Sequence, residues 1–108
     1  MSDPNQSGDP LASSLAGEPG MLDLIEQFVN ELPERLTAIQ QTLASHDLEG
    51  LSQLAHQLKG SAGGYGYPAL SHQAAEIETS VKSHDDIARI AREVRELADL
   101  CSRTRCAG

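Results

Sequence analysis

The run Leu54-Ala55-His56-Gln57-Leu58-Lys59-Gly60-Ser61-Ala62-Gly63-Gly64 holds a histidine, a lysine and a glycine within five positions. A neutral imidazole is a competent nucleophile near neutral pH. If the run is helical, Lys59 is a surface neighbour of His56, and its ammonium could reach the oxygens of a group bonded to the ring. Gly60 leaves bare backbone just above the imidazole. A nucleophile with a cation beside it and open backbone around it suits a phosphoryl group handed over by another protein. Histidine and lysine at i and i+3 occur together on many helices, so the frame around them has to carry the argument.

That frame is helical. At 100° per residue the apolar stripe centres between Leu51, Ala55, Leu58 and Ala62, and His56 lies roughly 130° away, toward solvent. Gly60 lies nearly opposite the stripe. A helical glycine costs about 1 kcal/mol relative to alanine, so stability alone would favour Ala, Glu or Lys there. Gly63 is one further turn along on the His56 side, and it and Gly64 either end the helix or add to the opening.

Apolar residues recur at steps of three and four along most of the chain. Leu22, Ile25, Val29, Leu32, Leu36, Ile39 and Leu43 form the seam of a long first helix, with Phe28 widening it. Pro33 should kink this helix without ending it, because the seam stays in phase across it. The helix should stop near Ser45-His46-Asp47. Leu48 to Ala62 mark the second helix. Leu70, Ala74, Ile77 and Val81 mark the third, which starts near Tyr67-Pro68. Ile87, Ile90, Val94, Leu97 and Cys101 mark the fourth, after a turn at Ser83-His84-Asp85. Asp9-Pro10 reads as an N-cap with proline at the first helical position, opening a short helix over 10–17. Glu18-Pro19 opens the next segment the same way. Residues 1–9 are polar and read as a disordered tail. The expected fold is all-α: an antiparallel, up-and-down four-helix bundle over 18–106 with a short extra N-terminal helix.

Composition narrows the function. The chain has 108 residues, the size of one domain, and one Phe, two Tyr and no Trp, so its core must be aliphatic. A formal charge of −8 repels phosphate backbones and argues against nucleic acid. No apolar run reaches the ~18 residues of a membrane span, and the N-terminus lacks a signal-peptide core. A cytoplasmic protein without membrane attachment is expected, a monomer by default. Cys101 and Cys106 form no CxxC and are expected as free thiols, with no metal site and no cofactor. The aliphatic seams offer no inward-facing ligands for a bundle metal site. His46, His72 and His84 read as surface residues.

The signature Ala55-His56, Leu58, Lys59, Gly60, Ser61-Ala62, Gly66 and Leu70, continuing to Ile77-Glu78, closely resembles the histidine-containing phosphotransfer (HPt) domain family of two-component signalling. The resemblance covers about 18–105. It implies that His56 accepts a phosphoryl group from a receiver-domain aspartate and passes it to another receiver. It further implies that Lys59 helps hold that group and that Glu78 bonds the other ring nitrogen and orients the imidazole. Gly60 would let the receiver approach, with Gln53, Gln57 and Gly63 as further docking positions. The implied partners are receiver domains and a cognate sensor histidine kinase, and the chain would be a phosphoryl carrier rather than an enzyme. The start Met1-Ser2-Asp3 favours a freestanding module.

Two other readings stand beside it. One is a helical adaptor that binds a receiver or kinase without carrying phosphate; the intact His56, Lys59 and Gly60 argue against it. The other is a segment of a chemotaxis-type kinase whose donor is an ATP-bound catalytic domain. Leu54, Tyr65, Tyr67, Leu11 and Leu15 are candidates for an apolar docking patch, although Tyr65 and Tyr67 serve equally well as packing over the bundle end.

Overall fold

A computed structural model describes residues 10–106. Four helices follow one another: α1 (Leu22–Ala44), α2 (Leu48–Gly64), α3 (Pro68–Lys82) and α4 (Ile87–Ser102). Two short strands, β1 (Leu11–Ala12) and β2 (Thr104–Arg105), pair in parallel with Leu11 opposite Thr104. Each helix packs on the two beside it in a ring, and α2 against α3 is the most extensive pairing. Short connections between consecutive neighbours make the bundle antiparallel and up-and-down.

The seams read from spacing are the core. Ile25, Phe28, Leu32 and Ile39 of α1 are buried, as are Leu51, Ala55, Leu58 and Ala62 of α2. Leu70, Ala74, Ile77 and Val81 of α3 meet Ile90, Val94 and Leu97 of α4. Leu22 and Ile87, the first members of their seams, remain 45% and 40% exposed. The buried seams therefore begin one turn later, at Ile25 and Ile90. α1 runs unbroken through Pro33, whose carbonyl accepts the Thr37 hydroxyl at 2.9 Å.

The first three helices end in the same way. After Ala44, Gly64 and Lys82 comes one residue of ordinary φ, then one in the left-handed region: His46 (φ 58°), Gly66 (φ 85°) and His84 (φ 57°). His46 N–H bonds Leu43 O at 3.1 Å and Asp47 N–H bonds Thr42 O at 2.8 Å. Gly66 and Tyr67 bond Gly63 and Ala62 in the same pattern, and His84 and Asp85 bond Val81 and Ser80. This double closure satisfies carbonyls the helix leaves open and reverses the chain tightly. The residues that follow start the next helix: Asp47 caps α2 by accepting from Gly50 N–H at 3.0 Å, and Pro68 occupies the first position of α3.

The short helix expected over 10–17 is not there. Leu11 and Ala12 are extended, and 14–17 form a turn. Local signals lose because this segment's backbone groups find partners elsewhere. Leu11 N–H bonds Arg103 O at 2.7 Å and Ser14 N–H bonds Gly66 O at 2.9 Å. The Ser13 hydroxyl donates to Tyr65 O and accepts from Leu15 N–H, a local turn that competes with helix. α1 likewise starts at Leu22 rather than at Glu18-Pro19, after a turn through Gly20 at φ 78°. The tail expected over 1–9 lies outside the described residues.

Phe28, Tyr65 and Tyr67 gather at this end of the bundle, with Phe28 ring centroids 5.3 Å and 5.6 Å from the two tyrosines. Tyr67 is buried and donates its hydroxyl to Arg105 O; burial, then the nearby Cys106, pushes its pKa up to about 12. Tyr67 and Leu11 are therefore core residues, not docking surface. No helix among the described residues is long and apolar enough to cross a membrane.

Left-handed backbone strains any side chain with a Cβ. Replacing exposed His84 by glycine should stabilise the protein by about 0.5–1 kcal/mol, the relief of left-handed strain less the entropy glycine adds to the unfolded chain. Urea unfolding of wild type and His84→Gly measures this; equal or lower stability in the variant would show that the His84 side chain contributes more than its backbone costs.

Candidate functional site

His56 sits where the helical period predicts, between buried Ala55 and Leu58 but turned outward, its side chain 66% exposed. Facing it across the α2–α3 contact is Glu78, next to core residue Ile77 and only 8% exposed. His56 Nδ1 lies 2.9 Å from Glu78 Oε2. An ionised carboxylate can only accept, so Nδ1 carries the proton and donates it. The Nε2 lone pair is then left free on the outward side of the ring.

Two lysines complete the cluster. Lys59 Nζ donates to Glu78 Oε1 at 2.8 Å, and Lys82 Nζ donates to Oε2 at 2.9 Å. The hydrogen bond from Lys59, that from Lys82 and the two positive charges outweigh burial. They hold the Glu78 carboxyl down at about 2, against an ordinary 4.5. The acid is thus ionised throughout the physiological range, as the donor assignment at Nδ1 requires.

The register of α2 on α3 is set nearby. Ser71 of α3 donates its hydroxyl to the Lys59 backbone carbonyl at 2.9 Å. A Cβ built on Gly63 would come within 3.3 Å of Ser71 Oγ. Gly63, expected as a docking position, thus also has a packing role between the helices. Gly60 is different: a Cβ there would meet nothing within 4 Å. Its openness is unused by the fold itself. Gln53 and Gln57 line, with Ser52, His56, Glu78 and Lys82, a shallow cleft of about 360 Å³. His56, Lys59 and Glu78 are therefore brought together, with Gln53 and Gln57 beside them.

Lys82 and Ser71 escaped the reading of the sequence. Lys82 stands four residues after Glu78, the acid-before-base order that favours pairing on a helix, and that spacing was the available signal. Ser71 had none. Gly66 needs two explanations: its positive φ closes α2, and a Cβ on it would fall 2.6 Å from Ser13 Oγ. His72 is a surface residue 3.5 Å from Glu76, and His46 and His84 are exposed in their turns. Cys101 and Cys106 are free; burial pushes the Cys101 thiol up to about 12, and burial with the Glu26 carboxylate raises Cys106. No group of three or more His, Cys, Asp or Glu among the described residues is placed to hold a metal.

Fold and site together define a small helical bundle that presents to solvent a histidine tethered to a buried carboxylate. A sequence model of the Hpt domain matches residues 23–105, and the chain belongs to that family. It is 39% identical over 62 residues to the phosphorelay protein LuxU of Vibrio vulnificus, covering 57% of this chain and 54% of LuxU. With LuxU of Vibrio cholerae it shares 28% over 100 residues, 93% of this chain and 88% of that protein. It is 31% identical over 77 residues to the signal transduction histidine-protein kinase BarA of Shigella flexneri, covering 71% of this chain. The chain thus spans about half of the V. vulnificus LuxU and 8% of BarA. No solved structure matches it.

Because the folded-state pKa of Glu78 is depressed, its contribution to stability is complete above about pH 4.5 and is lost as pH falls toward about 2. Thermal melts of wild type and Glu78→Gln should differ most above that window and converge within it. A difference independent of pH would remove the ionised carboxylate from the account.

Proposed function

We propose that the chain is a phosphorelay carrier in which His56 Nε2 takes a phosphoryl group from a receiver-domain aspartyl phosphate and yields it to another receiver. The observation that carries this reading is the tether of Nδ1–H to ionised Glu78 on a ring 66% exposed, within the segment matched as an Hpt domain. The chemistry balances without a proton leaving the ring. The Nε2 lone pair attacks phosphorus, the P–Nε2 bond forms, and the acyl P–O bond breaks with its electron pair departing on the aspartate. The ring gains positive charge, which faces the Glu78 carboxylate. Return of the phosphoryl group to a second aspartate retraces the same steps.

Lys59, fixed on Glu78 beside the imidazole, supplies positive charge at the site of a protein whose formal charge is −8. Such a group placed where charge arrives favours the phosphorylated state. The receiver supplies the metal and the acid–base groups, so the chain acts as a positioned carrier and not as an enzyme. Its partners are receiver domains and the sensor histidine kinase that feeds them, and the likeness to part of BarA is compatible with a kinase in the same pathway.

Incubation with a panel of phosphorylated receiver domains, read by intact mass and acid lability, tests the reading. Labelling of wild type but not of His56→Gln is the expected outcome; receiver binding without labelling would favour the adaptor instead. Gly60 separates stability from function. Gly60→Ala should stabilise the helix by about 1 kcal/mol, because the added methyl meets open space in the chain itself. Gly60→Glu should slow transfer at least tenfold if the receiver approaches over this position, by bulk and by repulsion of its phosphoryl group. Equal rates for the glutamate variant would show docking elsewhere.

A further inference from the structure

The two lysines on Glu78 are not equivalent. α2 and α3 are antiparallel, and Ser71 marks the level of Lys59 while Glu78 marks the level of His56. Both ammoniums reach Glu78, but Lys82, a turn beyond it, comes from the side of Ser52 and Gln53, whereas Lys59 comes from α2 itself. The cleft in front of the ring is lined on that side, by Ser52, Gln53, Gln57 and Lys82 together with His56 and Glu78. Lys82 lines this cleft with His56 and Lys59 does not, so a phosphoryl group that enters it meets Lys82.

The hydrogen bonds show which lysine can move. Lys59 is the donor to Oε1, an oxygen of a side chain only 8% exposed. Its departure would leave that oxygen buried without a partner, which is costly. Lys82 donates to Oε2, which already accepts Nδ1–H of His56, so its departure leaves no oxygen unbonded. Lys82 is also 67% exposed, against 36% for Lys59, and so pays little to swing. A phosphoryl dianion competes for it against one carboxylate oxygen that is already satisfied.

We infer that Lys82 is the phosphoryl-binding cation of this site, leaving Glu78 when His56 is phosphorylated and bonding the phosphoryl oxygens, while Lys59 stays in place as the anchor of Glu78. This rests on the phosphoryl-carrier reading and gives Lys82 the contact with the phosphoryl oxygens that the family resemblance implies for Lys59, whose charge then acts from its place on Glu78. The consequence is that Glu78 tightens on Nδ1–H in the same step, since Oε2 then has His56 alone.

Loss of the phosphoryl group to water tests this, because two roles for Lys82 predict opposite signs. In hydrolysis water bonds to phosphorus while the P–Nε2 bond breaks and its electron pair returns to the ring. The transition state is loose, with charge leaving the phosphoryl oxygens. A cation on those oxygens stabilises the bound state more than the transition state, so its removal shortens the lifetime. If Lys82 acted only on Glu78, its removal would let the carboxylate pull harder on Nδ1–H. The ring would become a poorer leaving group, and the lifetime would lengthen.

The full chain is labelled with phosphoramidate, the P–N bond to ammonia breaking as P–Nε2 forms, and decay is followed by 31P NMR for wild type, Lys82→Met, Lys82→Arg, Glu78→Gln and Lys82→Met in the Glu78→Gln background. The expected result is a lifetime shortened roughly five-fold by Lys82→Met, the scale of an exposed charge pair. Lys82→Arg should restore it, and the same shortening should persist when Glu78 is glutamine. A lifetime unchanged or lengthened by Lys82→Met, or an effect that vanishes with Glu78→Gln, overturns the inference and leaves the carrier reading standing. Wild type that takes no label on His56 from phosphoramidate or from any phosphorylated receiver overturns both. Lys82 is on the surface, so matched thermal melts establish that the variants are folded.

Discussion

Placing the Glu78 carboxylate between α2 and α3 costs it most of its water, and three donors offset that cost: His56 Nδ1–H, Lys59 and Lys82. Each donor pins a different feature of the site. The bond to Nδ1 selects the tautomer and turns Nε2 outward. The bond from Lys59 couples two positions of α2 to one position of α3, so sliding either helix by a turn would break both. The bond from Lys82 keeps a second cation near the ring on a flexible arm. The same bonds keep the acid ionised, and an ionised acid is what they need as a partner. The arrangement is self-consistent in charge and geometry, and a neutral residue at position 78 could not reproduce it.

The α2–α3 register that Glu78 requires is held from outside the site as well. Ser71 bonds the Lys59 carbonyl, and Gly63 lets α3 come close. At the far end of α2, Gly66 turns the chain into α3 and receives the N-terminal segment through Ser14 N–H. Ser13, Tyr65, Tyr67 and Arg105 then tie the first described residues, the α2–α3 turn and the last strand into one assembly. A site on the middle of a helix is thus positioned by turns and strands at the helix end, several turns away.

Gly60 points the other way. Its neighbours Leu58 and Ala62 are buried and its own face is empty, so the fold gains nothing from it and gives up about 1 kcal/mol of helix propensity. A local rule broken without any structural return is what the proposed approach of a receiver over this position would account for. The contrast with Gly63, whose missing side chain makes room for Ser71, shows that neighbouring glycines in one motif answer to different constraints.

The bundle was legible because its cause is periodic. Leu51, Ala55, Leu58 and Ala62 repeat at the helical spacing, and that spacing alone puts them inside and turns His56 and Gly60 outward. Helix ends were legible within a few residues, since Ser45-His46-Asp47 and Gly63-Gly64 mark them by residue type. The segment over 10–17 was not, because its proline and apolar spacing suit a helix and its actual partners, Arg103 and Gly66, are remote in sequence. The pairing of Glu78 with His56 entered only through a family pattern, for nothing local to either residue states which turn of α3 faces which turn of α2. What the sequence by itself determined is which side of each helix is apolar and hence that His56 is exposed, because periodicity is a property of consecutive residues. What only the tertiary structure decided is that His56, Lys59 and Lys82 converge on Glu78, because the offset between two packed helices is set by contacts such as Ser71 with Lys59 that no spacing records.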